Sequence, residues 1–125
     1  MLQYIKFTNL PVSNQRRAVR FYREKLGMRI LQNTPYKPDW RWIELGIPGG
    51  ETAIVLVPRP NEEPSDLPAL VLAVDDVETT YEELQARGVI FTHGPRPAPW
   101  NPEQRFALFR DSEGNTVLIG SSYDE

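Results

Sequence analysis

The sequence predicts an α+β fold built from two copies of one βαβββ module. Three observations carry that prediction. A helical pattern ending in glycine occurs twice, Gln15 to Gly27 and Val77 to Gly88, with the glycines 61 positions apart in 125 residues. Each glycine precedes a short apolar run, Met28-Arg29-Ile30-Leu31 and Val89-Ile90-Phe91. Each run then leads to two strand-like segments around a tight turn. These are Trp40–Leu45 and Thr52–Val57 around Gly49-Gly50, then Arg105–Arg110 and Thr116–Gly120 around Asp111-Ser112-Glu113-Gly114-Asn115. An internal repeat of this length outranks any local pattern, because each copy must form the same unit.

The elements follow in order. Tyr4–Asn9 alternates as a strand, and Pro11 is expected to end it. Ser13 or Asn14 can cap the next helix by accepting from a free backbone N–H. Ala18, Val19, Phe21, Tyr22 and Leu26 recur at three- and four-residue spacings and form its apolar face. Gly27 suits a left-handed residue just past the helix end. Met28–Asn33 reads as a strand, residues 35–38 as a proline loop, and Trp40–Leu45 with Thr52–Val57 as a hairpin. Proline and acidic residues then dominate Pro58–Pro68, which marks 59–68 as a linker between a first module (1–58) and a second (69–125) within one structural domain. Ala69–Val74 is a nearly unbroken apolar strand of the kind covered on both faces. Asp75 or Asp76 caps a helix whose inner face is Val77, Thr80, Tyr81 and Leu84. Val89–Thr92 is a strand, Gly94–Pro102 a proline-rich loop carrying Trp100, and Ser121–Glu125 a polar tail.

Composition narrows the function. There is no cysteine, so disulfide and thiolate chemistry are absent, in keeping with a reducing cytoplasm. No apolar run approaches a membrane span, and the N-terminus lacks a signal-peptide layout. Net charge is −3, with basic residues gathered only at Arg16-Arg17 and Arg20, which argues against nucleic acid as a partner. No phosphate-binding glycine loop, CxxC pair or Ser-His-Asp set is present.

Several strings resemble one family. Ala18-Val19-Arg20-Phe21-Tyr22 with Leu26-Gly27-Met28 resembles the first-helix signature of the vicinal oxygen chelate superfamily, which holds glyoxalases, bleomycin-resistance proteins and extradiol dioxygenases. Leu72-Ala73-Val74-Asp75-Asp76-Val77 and Leu84-Gln85-Ala86-Arg87-Gly88-Val89 resemble the opening of its second module, and Phe109-Arg110-Asp111-Ser112-Glu113-Gly114-Asn115 its last hairpin. The resemblance covers nearly the whole chain, in order. It implies a glyoxalase-like fold in which curled mixed sheets surround a central cavity. It also implies a homodimer, since members commonly pair modules across subunits.

Metal-dependent members hold a divalent ion with four inward-facing His, Glu or Gln side chains. The shared motifs place those positions at Phe7, Val55, Ala69 and Leu118, none of which can ligate a cation. A one-residue slip brings only Lys6, Thr8, Ile54 and Leu56 in the first module, and Pro68, Leu70, Val117 and Ile119 in the second. The expectation is therefore no metal and no cofactor.

The four positions implied by the resemblance mark the inward face, and alternation along the strands extends it to their neighbours. Phe7, Asn9, Val55, Trp40, Trp42 and Glu44 point inward in the first module. Ala69, Phe106 and Leu118 do so in the second, with Trp100 on its loop and Arg105 able to hold an anionic group. Trp40 and Trp42 serve either core packing or ligand stacking. The leading reading is a bleomycin-resistance-like protein binding a small aromatic or partly apolar molecule without a metal. A second is an enzyme, either a glyoxalase-like lyase or dioxygenase with its metal site in another register, or a metal-free acid–base catalyst at Glu44 or His93. A third is a regulatory or interaction module with a vestigial cavity.

Overall fold

The computed structural model describes residues 1–59 and 63–122. The chain divides into two compact units, Met1–Glu62 and Glu63–Glu125. Each contains one four-stranded mixed sheet and one helix, the α+β repeat expected from the sequence.

The first unit runs β1 (Phe7–Val12), α1 (Gln15–Glu24), β2 (Arg29–Lys37), β3 (Trp40–Gly46) and β4 (Ala53–Pro58). Its sheet order is β1-β4-β3-β2, with β1 parallel to β4 and the other pairs antiparallel. A parallel pair needs a crossover, which the chain from α1 to β3 supplies. Asn14 is the N-cap: its backbone is extended and its side chain accepts from the Arg17 N–H at 3.0 Å. Gly27 closes the helix at φ +72°, where a side chain would be strained. Ala18 and Tyr22 are fully buried, and so are Leu10, Leu45 and Leu56 of the sheet.

The second unit runs β5 (Leu70–Val74), α2 (Val77–Ala86), β6 (Phe91–Ala98), β7 (Asn101–Arg110) and β8 (Thr116–Ser121), in sheet order β5-β8-β7-β6. Asp76 caps α2 through the Thr79 N–H at 2.9 Å. Gly88, at φ +92°, ends it: the Gly88 and Val89 N–H groups donate to the Gln85 and Leu84 carbonyls. Tyr81 meets Phe91 edge-on at 4.6 Å between centroids, and Phe91 meets the fully buried Phe109 at 5.3 Å. That stack fastens α2 to its sheet.

Several boundaries differ from the sequence reading, most of them for one reason. Pro11 does not end β1, which runs from Phe7 to Val12. Pro35 lies inside β2, so residues 35–37 of the expected loop are strand. Pro95 and Pro97 lie inside β6, so Gly94–Pro102 is two strands joined at Pro99 and Trp100. All three strands are sheet edges, where the missing N–H can face away from the ladder. Register shifts in β2 and β6 absorb the misfit.

Ala69–Val74 also departs from expectation. Leu70 is buried and Leu72 and Val74 are half-buried, but Val71 and Ala73 are exposed. A short apolar run does not distinguish a strand covered on both faces from an edge strand with one open face. Within the expected linker, Ser65 and Asp66 belong to the second unit. The Ser65 carbonyl accepts from Arg110 Nη1 at 3.3 Å and Thr116 Oγ1 at 3.1 Å, and Asp66 pairs with Arg110 Nη2 at 2.6 Å. Residues 60–62 of that linker, and 123–125 of the expected tail, lie outside the described residues.

Candidate functional site

In the first unit, β-sheet register decides which side chains meet. Asn9 pairs with Val55 and Val55 with Glu44, so the three share one row and one face. Glu44 pairs in turn with Gln32. Two residues along β3 on the same face stands Trp42, and Trp40 opens the strand. The turn that delivers Trp40 uses Asp39 at φ +65°, a conformation that a short polar side chain tolerates. Phe7, Asn9, Trp40, Trp42 and Val55 all line one cavity of about 360 Å³, joined by Tyr36 and Lys37 of β2.

Its aromatic wall is ordered. Trp42 meets Phe7 edge-to-face at 5.8 Å and Tyr36 at 5.3 Å. The Trp42 indole N–H donates to Glu44 Oε2 at 2.7 Å, and the Trp40 indole N–H to the Leu56 carbonyl at 3.1 Å. Both indole donors are thus spent on the protein, which holds each ring in place. Gln15, in the first turn of α1, donates to the Arg41 carbonyl at 2.8 Å and accepts from the Arg41 N–H at 3.1 Å. The helix start is thereby tied to the strand that carries both tryptophans.

The second unit has its own cavity of about 410 Å³, lined by Trp100, Gln104, Leu118, Val71 and Ala73 among others. Trp100 donates from its indole to Gln104 Oε1 at 3.2 Å and lies 5.5 Å from Phe106. Phe106 packs with Ala98 and Leu118 beneath it. A tryptophan therefore stands where β2 turns into β3 and again where β6 turns into β7, so the repeat extends to the cavities.

Other expected site residues are placed differently. Arg105 turns to α2, where its Nε donates to Glu78 Oε1 at 2.7 Å, on the opposite side of β7 from Gln104 and Phe106. Ala69 precedes β5 and spends its N–H on the Thr116 carbonyl. His93 is exposed on edge strand β6, its Nδ1 3.5 Å from Thr92 Oγ1. It is not among the lining residues of either cavity. Glu44 is half-buried and held by Trp42.

The donor set does not fit the divalent ion of metal-dependent chelate proteins. Phe7, Val55, Ala69 and Leu118 present carbon only, and among the described residues no three His, Cys, Asp or Glu side chains gather to hold a metal. No helix among them is long and apolar enough to cross a membrane.

Tyr36, Gln104 and Gln15 are not marked by the sequence patterns. Tyr36 lies among prolines that mask the end of β2, and Gln104 lies ahead of Arg105, where the strand-like pattern begins, although β7 starts at Asn101. No sequence signal marks Gln15.

The sequence profile described as the Glyoxalase/Bleomycin resistance protein/Dioxygenase superfamily matches residues 4–119. The uncharacterized protein YetH of Bacillus subtilis (strain 168) is 30% identical over 121 residues, covering 95% of this chain and 98% of YetH. Among solved structures, TnmS3, an antibiotic binding protein from Streptomyces sp. CB03234, is 33% identical with a TM-score of 0.81 over 98% of each chain. A superfamily member from Sphaerobacter thermophilus DSM 20745 is 28% identical, with a TM-score of 0.83 over 97% of this chain and 98% of that one. With the profile matching almost end to end and the fold agreeing, this chain belongs to the glyoxalase/bleomycin resistance protein/dioxygenase superfamily.

Proposed function

We propose that this protein binds a small, flat and partly apolar molecule, aromatic in character, without a metal centre. The observation that carries this reading is the ring cluster at Trp42, where Phe7 and Tyr36 meet it edge-on and its indole N–H is satisfied by Glu44. Rings fixed in this way stack on a guest without stranding a polar donor or losing much side-chain entropy. The likeness to TnmS3, an antibiotic binding protein, supports the binding of a small molecule. In this reading each of the two modules, residues 1–58 and 69–125, carries its own ligand cavity, and the protein works as a cytoplasmic homodimer without nucleic acid or membrane.

The test is tryptophan fluorescence titrated with bleomycin and with acridine orange, a flat aromatic cation. Saturable quenching is expected, weakened about tenfold or more by Trp42→Ala or Trp100→Ala. Neither quenching nor a thermal shift with either probe would sink the reading.

A further inference from the structure

The two units carry opposite charge. Met1–Glu62 has ten Lys and Arg against five Asp and Glu, while Glu63–Glu125 has four against twelve. The helices share the imbalance: α1 carries four Arg against one Glu, and α2 three Glu and no Lys or Arg. Arg16, Arg20 and Arg23 form one exposed stripe of α1, on the side away from the buried Ala18 and Tyr22. With Arg29 and Glu24 they line a groove of about 680 Å³ beside α1, and the buried Met28 also contributes to it. None of the four arginines is paired with a carboxylate among the described residues.

The second unit carries the complement. Asp75, Glu78 and Glu82 are exposed at and along α2. Their spacing of three and then four is the reverse of the four and then three between Arg16, Arg20 and Arg23. Laid antiparallel, Arg16 meets Glu82, Arg20 meets Glu78, and Arg23 meets Asp75. Glu78 bonds Arg105 through Oε1 alone, which leaves its second oxygen for such a contact.

Resting on the homodimer reading above, we infer that the α1 groove of one copy receives α2 of a second copy, antiparallel and in that register. Matched charge rows set register and partner choice, and their attraction weakens with salt. Nucleic acid is the poorer occupant, because the twelve acidic residues of the second unit oppose it.

The experiment is sedimentation of the full chain at low and high salt, for wild type, Arg16→Glu, Glu82→Arg and the two together. Both residues are exposed and outside the two tryptophan-lined cavities, so circular dichroism and bleomycin-induced quenching should be unchanged. Each single change is expected to raise the dimer dissociation constant about tenfold or more, and the double change to bring it back to within about threefold of wild type. High salt should weaken the wild-type dimer. Singles that behave as wild type, or a double variant as weak as the singles, would overturn this interface while leaving a dimer through another face. A wild-type chain that is monomeric at every concentration would overturn both the interface and the homodimer, with ligand binding judged separately by quenching.

Discussion

Trp42 shows how one residue combines several duties. Its ring supplies the centre of the aromatic wall, and its N–H holds a half-buried carboxylate. Trp42→Phe keeps most of the ring area and removes the donor. It is expected to cost about 1–2 kcal/mol in urea unfolding, because the Glu44 carboxylate loses a charge-assisted bond. A change of only a few tenths would mean that water replaces the indole without loss. Asp111 is a second such residue, outside both cavities. It is buried, and its Oδ1 accepts the Glu113 and Asn115 N–H groups, both at 2.8 Å, while Oδ2 accepts Asn115 Nδ2 at 3.0 Å. Asp111→Ala is expected to lower unfolding stability by about 2–4 kcal/mol, since two buried backbone donors lose their acceptor. The resemblance of this hairpin to a family signature thus has a structural cause. Unfolding of the variant at the wild-type urea midpoint would contradict it.

Among the elements, the glycines that end helices and turns separate backbone strain from crowding. A Cβ on Gly27 would meet nothing within 4 Å, so Gly27→Ala should cost only the strain of φ +72°, about 1 kcal/mol. At Gly114, φ is +80° and a Cβ would lie 3.1 Å from Pro64 Cγ, so Gly114→Ala should cost more. Thermal melts of the two variants check the order, and equal losses would show that Pro64 yields freely. The helices and hairpins were legible because their signals are local: an Asn or Asp cap, an apolar stripe, a closing glycine. The far ends of β2 and β6 were not. Proline forbids a ladder bond only where its N–H would have pointed at a neighbour, and a strand's position at a sheet edge is set by pairing.

Across the whole molecule, chelate chemistry and apolar binding make opposite demands. The four family metal positions present carbon, and each unit instead shows a tryptophan-lined cavity. Excess EDTA is therefore expected to leave the melting temperature unchanged. On the binding proposed above, acridine orange at about 100 times its dissociation constant should stabilise the fold by about 2.7 kcal/mol. A stoichiometric metal whose removal lowers the melting temperature would contradict the first expectation.

By itself the sequence determined the repeat and the α+β class and narrowed each helix cap to two adjacent residues, because these depend on neighbours within a few residues; with the family resemblance to mark the inward face, alternation grouped Phe7, Asn9, Trp42 and Val55. Tertiary structure decided what alternation cannot express. It turned Arg105 to Glu78 rather than to a cavity, brought Tyr36 onto Trp42 through a proline-bearing edge strand, and tied the Arg41 backbone to Gln15, 26 positions away. Each of those contacts joins segments that only sheet pairing and helix docking bring within reach.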